Sequence, residues 1–296
     1  MGGTLSALRN KWDPPVEVAQ EVGGPIQVWR CDLRLEEHGV VQRCKSLLPP
    51  QEAEQVGNGQ GVAWSCGVIS RVLQRAAAEE FCGVAFSQAV IVREDPQFKQ
   101  KKPVLVLDKA PVRGYLHFNV SHDHGVVFLV GHPRFSVGVD AMKMILPKAG
   151  DTLQGFFADM QGVMTRGEWT WIKAEDQGEQ LQRFFTLWTM KEAFAKGVGE
   201  GLSCPLASLE LTLEEGEWVI FRDGWRQRFW RLKTQQYANF AISFAVGAPA
   251  GMHPSYYSTV GADKIAPPGI TDDDLCWRDI DLQALLLQAK QNKGSG

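Results

Sequence analysis

Residues 118–122 read FNVSH, residues 137–140 read VGVD and residues 188–196 read WTMKEAFAK, and these three stretches decide how the chain is organised. The first two contain apolar and β-branched residues that run up to a polar end, which is typical of buried strands. Asp140 is therefore expected where a buried strand emerges at a cleft. The third stretch has helical spacing, with apolar residues that repeat on one face.

The first half of the chain has the pattern of a helix followed by a hairpin-rich sheet. A first strand is expected at residues 25–33 and a helix at about 62–81. Apolar runs separated by Asp, Pro and Gly indicate further strands at 84–92, 104–107, 116–120 and 126–130.

The second half repeats this order of helix and sheet. Thr165 and Glu168 have the spacing of a capping box, and a longer helix is expected over about 179–196, where a glycine series ends it. Strands follow at 209–213, 218–222, 225–232 and 237–246. Residues 125–133 also align with 241–249 at Phe, Val, Gly and Pro. This match favours an internal duplication, although two ordinary strand-and-turn segments would also give it.

These patterns predict an α+β fold with two similar lobes, each a helix packed on an antiparallel sheet. The tail contains prolines and an acidic run before an apolar cluster, so an extended segment with a short docking helix is expected there. The predicted units are a lead-in at 1–24, an N-terminal lobe at 25–135, a C-terminal lobe at 136–249 and the tail at 250–296.

The composition and net charge of the chain limit the classes of function that it can have. The chain is 44% hydrophobic and 22% charged, as in soluble globular proteins, and its formal charge of -3 argues against a nucleic-acid partner bound by counterion release. The cysteines form no CxxC pair, which favours reduced thiols in an intracellular protein. The sequence contains no apolar run of bilayer length and no evident leader, so a cytoplasmic location is expected, with an organelle as the alternative.

The order FNVSH, VGVD and WxxKExxxK resembles the motif set of the 4'-phosphopantetheinyl transferase superfamily, in its larger, monomeric, two-lobed class. The pattern GxDxMK around Met142 is most similar to the eukaryotic aminoadipate-semialdehyde dehydrogenase phosphopantetheinyl transferases. The resemblance implies lobes related by a pseudo-twofold axis, with the active site in the cleft between them.

The same resemblance implies an activity. A Mg²⁺-dependent enzyme of this kind transfers the 4'-phosphopantetheine arm of coenzyme A to a serine of an apo acyl or peptidyl carrier protein and releases 3',5'-ADP. The sequence does not distinguish among carrier proteins of fatty-acid, polyketide and lysine metabolism.

Three carboxylates are candidates for the metal. The resemblance assigns Asp140 and Glu192 to Mg²⁺, with Glu192 also a candidate base for the acceptor serine. A strand-ending Asp that caps a turn and a surface Glu–Lys pair are the alternatives. Bacterial members read GxDxE, whereas Met142 offers a hard ion only a thioether. Asp123 is hypothesised to supply the missing carboxylate, and a turn residue is the alternative.

Two lysines of the third stretch are expected at phosphate groups. The resemblance makes Lys196 a phosphate contact that also assists proton transfer, and so a third catalytic residue beside Asp140 and Glu192. Lys191 projects near the centre of the apolar helix face, where an unpaired ammonium is costly. It is therefore expected to contact a phosphate of coenzyme A, with a snorkelling stem as the alternative.

The coenzyme A site is expected to include residues of FNVSH. The resemblance places Asn119, Ser121 and His122 there, with His122 on the 3'-phosphate and an ordinary hydrogen-bonded histidine as the alternative. Upstream, residues 101–105 resemble the adenine-contacting segment GKPxL of the family, with Lys101 in place of its glycine. The candidate contacts in this region, with a solvated charge cluster as the alternative for the first two, are Arg93, Lys99, Lys102 and Pro103.

Two other classes of function fit parts of the sequence. An inactive coenzyme A-binding regulatory protein would keep the cleft without turnover, although all three catalytic candidates are present. A transition-metal hydrolase would need a cluster of histidines, but no neighbouring Cys or HExxH helix completes a zinc set around His117, His122, His124 and His132.

Overall fold

The N-terminal lobe is a helical layer on a sheet. A computed structural model of the protein describes residues 25–36, 39–92, 103–106, 117–132, 135–148, 150–248, 267 and 269–294. The first helices are α1 (Val40–Lys45), α2 (Pro50–Gln55) and α3 (Val62–Cys82). The first strands are β1 (Ile26–Asp32), β2 (Val90–Val92), β3 (Val104–Val106), β4 (His117–Asp123) and β5 (Val126–His132).

These elements confirm most of the predicted pattern in the first half. Helix α3 and strands β1, β3, β4 and β5 occupy the predicted segments. The strand expected at 84–92 is confirmed only at its end. Helix α3 ends at Gly83, which adopts a left-handed backbone, and the chain then turns before it becomes extended at Val90.

The C-terminal lobe repeats the arrangement with a longer helix. Its helices are α4 (Leu153–Asp159), α5 (Arg166–Lys173) and α6 (Gln177–Val198). The predicted capping box at Thr165 and Glu168 is present at the start of α5. The strand expected at 225–232 is divided in two, because the chain turns between residues 227 and 230. The strands are β6 (Ser136–Lys143), β7 (Leu209–Glu214), β8 (Glu217–Arg222), β9 (Trp225–Arg226), β10 (Trp230–Tyr237) and β11 (Phe240–Gly247).

The tail contributes a strand that the sequence pattern did not predict. Strand β12 (Leu275–Asp279) pairs in parallel with β1, and helix α7 (Leu282–Gly294) follows it. A two-point ion pair joins Arg30 to Asp279, with its shorter distance 2.6 Å. Leu282 and Leu286 are buried in the N-terminal core. The tail is therefore part of the N-terminal lobe.

Two main sheets form the centre of the molecule. The N-terminal sheet has the order β12-β1-β5-β4, and the C-terminal sheet has the order β10-β11-β6. Apart from the parallel β12–β1 pair, their strands are antiparallel. Strands β7, β8 and β9 form a separate meander, and β2 pairs with β3. Strands β4 and β6 are thus the edges of their respective sheets.

Alternating side chains place each sheet between two cores. On β5, Val127 and Leu129 pack towards α3, whereas Val126, Phe128 and Val130 belong to a middle core. That middle core also contains residues of β6 and β11, so the two sheets pack face to face. Helix α6 covers the outer face of the C-terminal sheet. No helix in the described ranges is long and apolar enough to cross a membrane.

Candidate active site

Helix α6 lies directly against strand β6. A Cβ atom at Gly138 would stand 1.9 Å from the carbonyl oxygen of Ala193, so only glycine permits this approach. Ser136 donates from its Oγ to the carbonyl oxygen of Gly197 at 2.8 Å. At the other end of α6, Asp176 accepts hydrogen bonds from two backbone N–H groups and caps the helix. This packing brings the last two turns of α6 against β6.

A partly exposed ion pair forms where α6 meets β6. The Lys196 Nζ lies 2.6 Å from the Asp140 Oδ1, and it also donates to the Ser121 Oγ at 3.1 Å and the Val139 carbonyl oxygen at 3.3 Å. The second carboxylate oxygen, Asp140 Oδ2, is buried and accepts no hydrogen bond from the described residues. A buried carboxylate oxygen without a donor is costly, so this atom is suited to an additional cation.

Glu192 is the second carboxylate of the site. Its side chain is buried one turn before Lys196 on α6. Burial raises the pKa of Glu192, the negative charge of Asp140 raises it further, and Lys196 only partly opposes the two effects. A raised pKa makes this carboxylate a stronger base than an exposed glutamate.

The donor set fits a hard divalent cation. Mg²⁺ is commonly held by one or two carboxylates, with water and substrate phosphate oxygens completing its shell. Asp140 and Glu192 are the matching pair here, because one has an unpaired buried oxygen and the charge of each acts on the other. A cation bound by both would offset their mutual repulsion.

Strand β4 supports this pair from the other lobe. Ser121 is buried, and its Oγ donates to the Asp140 Oδ1 at 2.9 Å. Asn119 is also buried and accepts from the Val139 N–H at 3.0 Å. Two residues predicted to line the coenzyme A site thus make their side-chain contacts within the protein.

Comparison with known proteins places this site in a family. The family model of the 4'-phosphopantetheinyl transferase superfamily matches residues 136–245, which include Asp140, Glu192 and Lys196. A phosphopantetheinyl transferase of Thraustochytrium is 36% identical over 118 residues, covering 38% of this chain and 41% of that protein.

Two mammalian proteins cover more of the chain. The human L-aminoadipate-semialdehyde dehydrogenase-phosphopantetheinyl transferase is 34% identical over 194 residues, covering 62% of this chain and 61% of that protein. The mouse protein of the same name is 30% identical over 216 residues, covering 69% of this chain and 68% of that protein. This chain belongs to the 4'-phosphopantetheinyl transferase superfamily. It spans less than two thirds of the length of the Thraustochytrium and human relatives.

The structure of this superfamily member favours the turn-residue alternative for Asp123. Its Oδ2 accepts the Lys143 N–H at 2.7 Å, and its Oδ1 lies 2.8 Å from the His124 Nδ1. No group of three or more His, Cys, Asp or Glu residues in the described segments could hold a metal ion. Asp123 instead ends β4 just before the turn formed by His124 and Gly125, which have φ values of 44° and 83°. Its carboxylate contacts are thus those of a hairpin-end residue.

The predicted contact of Lys191 with a phosphate conflicts with its position in the structure. This side chain is fully buried, and its ammonium donates to the Glu168 carboxylate at 2.7 Å and to the carbonyl oxygens of Val163 and Leu206 at 3.0 and 3.2 Å. The side chain is shielded from solvent and already paired, so it is not available to a phosphate of coenzyme A. The anionic partner that the sequence demanded is Glu168, which the pattern identified only as a helix cap.

His122 lies at the surface of β4, and Ser121 beside it is buried. Partial desolvation of the ring and the positive charge of Lys196 lower the pKa of His122. Pro103 is half-buried at the start of β3. The other predicted coenzyme A contacts, Arg93, Lys99 and Lys102, lie outside the described residues.

The histidine cluster of the hydrolase alternative forms no metal-binding group in the described part of the chain.

One residue beside the site was missed from sequence. Ser243 is fully buried on β11 opposite Asp140, and its hydroxyl shares a hydrogen bond of 2.8 Å with Thr189 on α6. The signal was a single hydroxyl in the otherwise apolar run of residues 240–246. A buried hydroxyl needs a partner, and this one joins α6 to the sheet beside Asp140.

Proposed function

We propose that the chain is a Mg²⁺-dependent enzyme that transfers the 4'-phosphopantetheine arm of coenzyme A to a serine of an apo carrier protein. The observation that carries the proposal is the buried, unpaired Oδ2 of Asp140, with Glu192 and Lys196 beside it. The names of the relatives agree with a phosphopantetheinyl transferase. The aminoadipate enzymes among them favour a carrier domain of lysine metabolism as one substrate.

Each residue of the site has a separate task in the proposed reaction. Asp140 and Glu192 would hold Mg²⁺, which when bound neutralises charge on the pyrophosphate. Glu192, directly or through a water molecule, accepts the proton of the acceptor serine. The serine oxygen forms a bond to the phosphorus that carries pantetheine, and the bond from that phosphorus to the bridging oxygen breaks. Lys196 would stabilise the departing 3',5'-ADP.

The nucleotide end of coenzyme A needs its own contacts. We propose that His122 binds the 3'-phosphate. Its side chain is exposed, and the positive charge of Lys196 acts on its ring. A phosphate at this place would offset the positive charge that now disfavours protonation of the ring. Arg93, Lys99, Lys102 and Pro103 remain the proposed contacts for adenine, ribose and phosphate. We propose that the enzyme acts as a monomer.

Mass spectrometry of apo carrier proteins tests the proposal directly. Incubation with this protein, coenzyme A and Mg²⁺ should add one phosphopantetheine mass per carrier, and a metal chelator or a change of the acceptor serine to alanine should abolish the addition. Glu192→Gln should also fail to modify the carrier, whereas Glu179→Gln, at an exposed position near the start of α6, serves as the matched control. Binding of coenzyme A without modification of any carrier would instead support an inactive regulatory protein.

A further inference from the structure

The two lobes meet along the edge strands β4 and β6 through side chains. The Asn119 Oδ1 accepts the Val139 N–H at 3.0 Å, the Ser121 Oγ accepts the Ala141 N–H at 3.2 Å, and the Asp123 Oδ2 accepts the Lys143 N–H at 2.7 Å. The donors are alternate residues of β6, and the acceptors are alternate residues of β4. We call these three contacts the ladder.

The ladder supplies hydrogen-bond acceptors to β6, the edge strand of the C-terminal sheet. Strand β6 pairs with β11 on one side, so alternate N–H groups on its other side need acceptors. A side-chain oxygen at each second residue of β4 supplies them, because alternate side chains of a strand point the same way. Removing one acceptor leaves a buried N–H group unpaired, at a cost of about 1–3 kcal/mol.

The middle contact of the ladder differs from the other two. Besides the Ala141 N–H, the Ser121 Oγ accepts from the Lys196 Nζ at 3.1 Å, and its own proton is directed to the Asp140 Oδ1 at 2.9 Å. A hydroxyl has one proton and two lone pairs, so Ser121 has no capacity left for another hydrogen bond. It is also buried. These facts argue against a direct contact between its hydroxyl and coenzyme A.

We propose that Ser121 is a positioning residue that orients the Asp140 carboxylate for cation binding. Its hydroxyl and the Lys196 ammonium both engage the Asp140 Oδ1, which leaves the buried Oδ2 as the free oxygen. Second-layer hydrogen bonds of this kind fix the orientation of a ligating carboxylate. The cation-binding part stands on these contacts alone, and the kinetic part rests on the proposed function.

Direct metal binding is the first test. Mn²⁺, a probe with the same preference for carboxylates, is titrated into the full chain and free ion is followed by electron paramagnetic resonance. Ser121→Ala should weaken Mn²⁺ binding about 10-fold or more, and Ser121→Thr, which keeps the hydroxyl, should restore most of the affinity. Asn119→Ala is the matched control, because it removes a ladder acceptor of β6 but does not touch Asp140.

Steady-state kinetics are the second test. Ser121→Ala should lower kcat about 10-fold or more and leave KM for coenzyme A within about 2-fold of the wild-type value. Ser70→Ala is the activity control, because Ser70 is a buried serine of α3 whose hydroxyl has no partner among the described residues. Thermal unfolding of all variants shows whether each is folded at the assay temperature. If Ser121→Ala does not fold, Ser121→Cys takes its place, since a thiol keeps the size but weakens both roles of the hydroxyl.

The outcomes separate the possible roles. Equal losses of Mn²⁺ affinity in Ser121→Ala and Asn119→Ala would overturn the proposal, since the ladder would then act only through stability. A raised KM for coenzyme A with unchanged kcat and Mn²⁺ affinity would also overturn it and make Ser121 a substrate contact. If the wild-type chain binds Mn²⁺ but modifies no carrier protein, the proposed function fails while the Mn²⁺ comparison still decides the role of Ser121.

Discussion

Two lysines of helix α6, five residues apart, each face a carboxylate from another element, yet their surroundings differ. The side chain of Lys191 is 0% exposed, and that of Glu168 is 1% exposed. The Glu168 carboxylate also accepts the backbone N–H groups of Thr165 and Leu211. The side chain of Lys196 is 25% exposed, and one oxygen of its partner Asp140 has no donor within the described segments.

The difference separates a structural ion pair from a functional one. In the closed pair, Lys191–Glu168, the ammonium is shielded from solvent and both carboxylate oxygens have partners, so nothing is left for a ligand. The open pair is Lys196–Asp140. Here a solvent-accessible lysine adjoins a carboxylate oxygen that has no donor among the described residues, and this arrangement costs stability unless a ligand completes it. Solvent exposure and the number of satisfied carboxylate oxygens therefore distinguish two pairs that each join a lysine to a carboxylate.

The largest expected effect is the loss of activity when the open pair is broken. Asp140→Asn keeps the size of the side chain but removes the charge that would hold Mg²⁺. Transfer to a carrier protein should fall by about 100-fold or more, because metal-assisted charge neutralisation contributes several kcal/mol. Rates are measured at saturating Mg²⁺, with Asp159→Asn, an exposed residue of α4, as the control. Near-normal turnover by Asp140→Asn would remove Asp140 from the metal site.

Breaking the closed pair should reduce stability instead. Lys191→Met leaves the Glu168 charge buried without its partner, so the free energy of unfolding should fall by about 3–5 kcal/mol. Urea denaturation measures this change, and Lys148→Met at an exposed position should stay within about 0.5 kcal/mol of the wild type. KM for coenzyme A should be unchanged in the folded fraction. A selective rise of that KM would instead indicate that Lys191 contacts a phosphate of coenzyme A.

The open pair should also give stability a distinct dependence on pH through Glu192. Its pKa is raised in the folded state, so the native chain holds this proton more tightly than the unfolded chain. Stability is therefore lost as pH rises above the ordinary glutamate pKa of about 4.3. Glu192→Gln should be more stable than the wild type at pH 7.5, and the difference should shrink towards pH 4. Urea denaturation at both pH values measures it, and an equal difference at both would contradict the assignment.

The next prediction concerns His122, an exposed residue whose ring is affected by the charge of Lys196 in the open pair. If its ring binds the 3'-phosphate, His122→Ala should lose most of the preference for coenzyme A over 3'-dephospho-coenzyme A, a change of about 10-fold. The ratio of kcat/KM for the two substrates is the measurement. His132→Ala is a useful comparison, because this residue is buried and its Nδ1 accepts the Phe135 N–H. An unchanged ratio in His122→Ala would make His122 structural.

The smallest effect is expected at Asp123, next to the open pair. Asp123→Asn keeps an oxygen for the Lys143 N–H, so stability and the Mg²⁺ concentration for half-maximal rate should stay near the wild type. Asp123→Ala loses that acceptor and should cost about 1–2 kcal/mol. A marked rise in the Mg²⁺ requirement of Asp123→Asn would show that the carboxylate binds the metal after all.

Local patterns predicted the elements that carry the site. Helix α6 and the capping box at Thr165 follow from periodicity and cap chemistry. The strand before Asp140 was also predicted, but β6 continues past Asp140 to Lys143, so Asp140 lies within the strand rather than at its end. The i, i+4 spacing of Glu192 and Lys196 also required them to be neighbours. Strand β12 was not predictable in this way, because its exposed residues alternate weakly and it is fixed by pairing with β1, which is distant in sequence.

The sequence by itself determined the two-lobed α+β organisation, the identity of the site motifs and the need of Lys191 for an anionic partner. Only the tertiary structure decided that this partner is Glu168, that Ser121 bonds to Asp140, and that Asp123 pairs with Lys143. The physical reason is the distance along the chain over which each kind of interaction acts. Periodicity and capping arise from neighbours within a few residues, whereas a hydrogen-bond partner is selected by how distant elements pack.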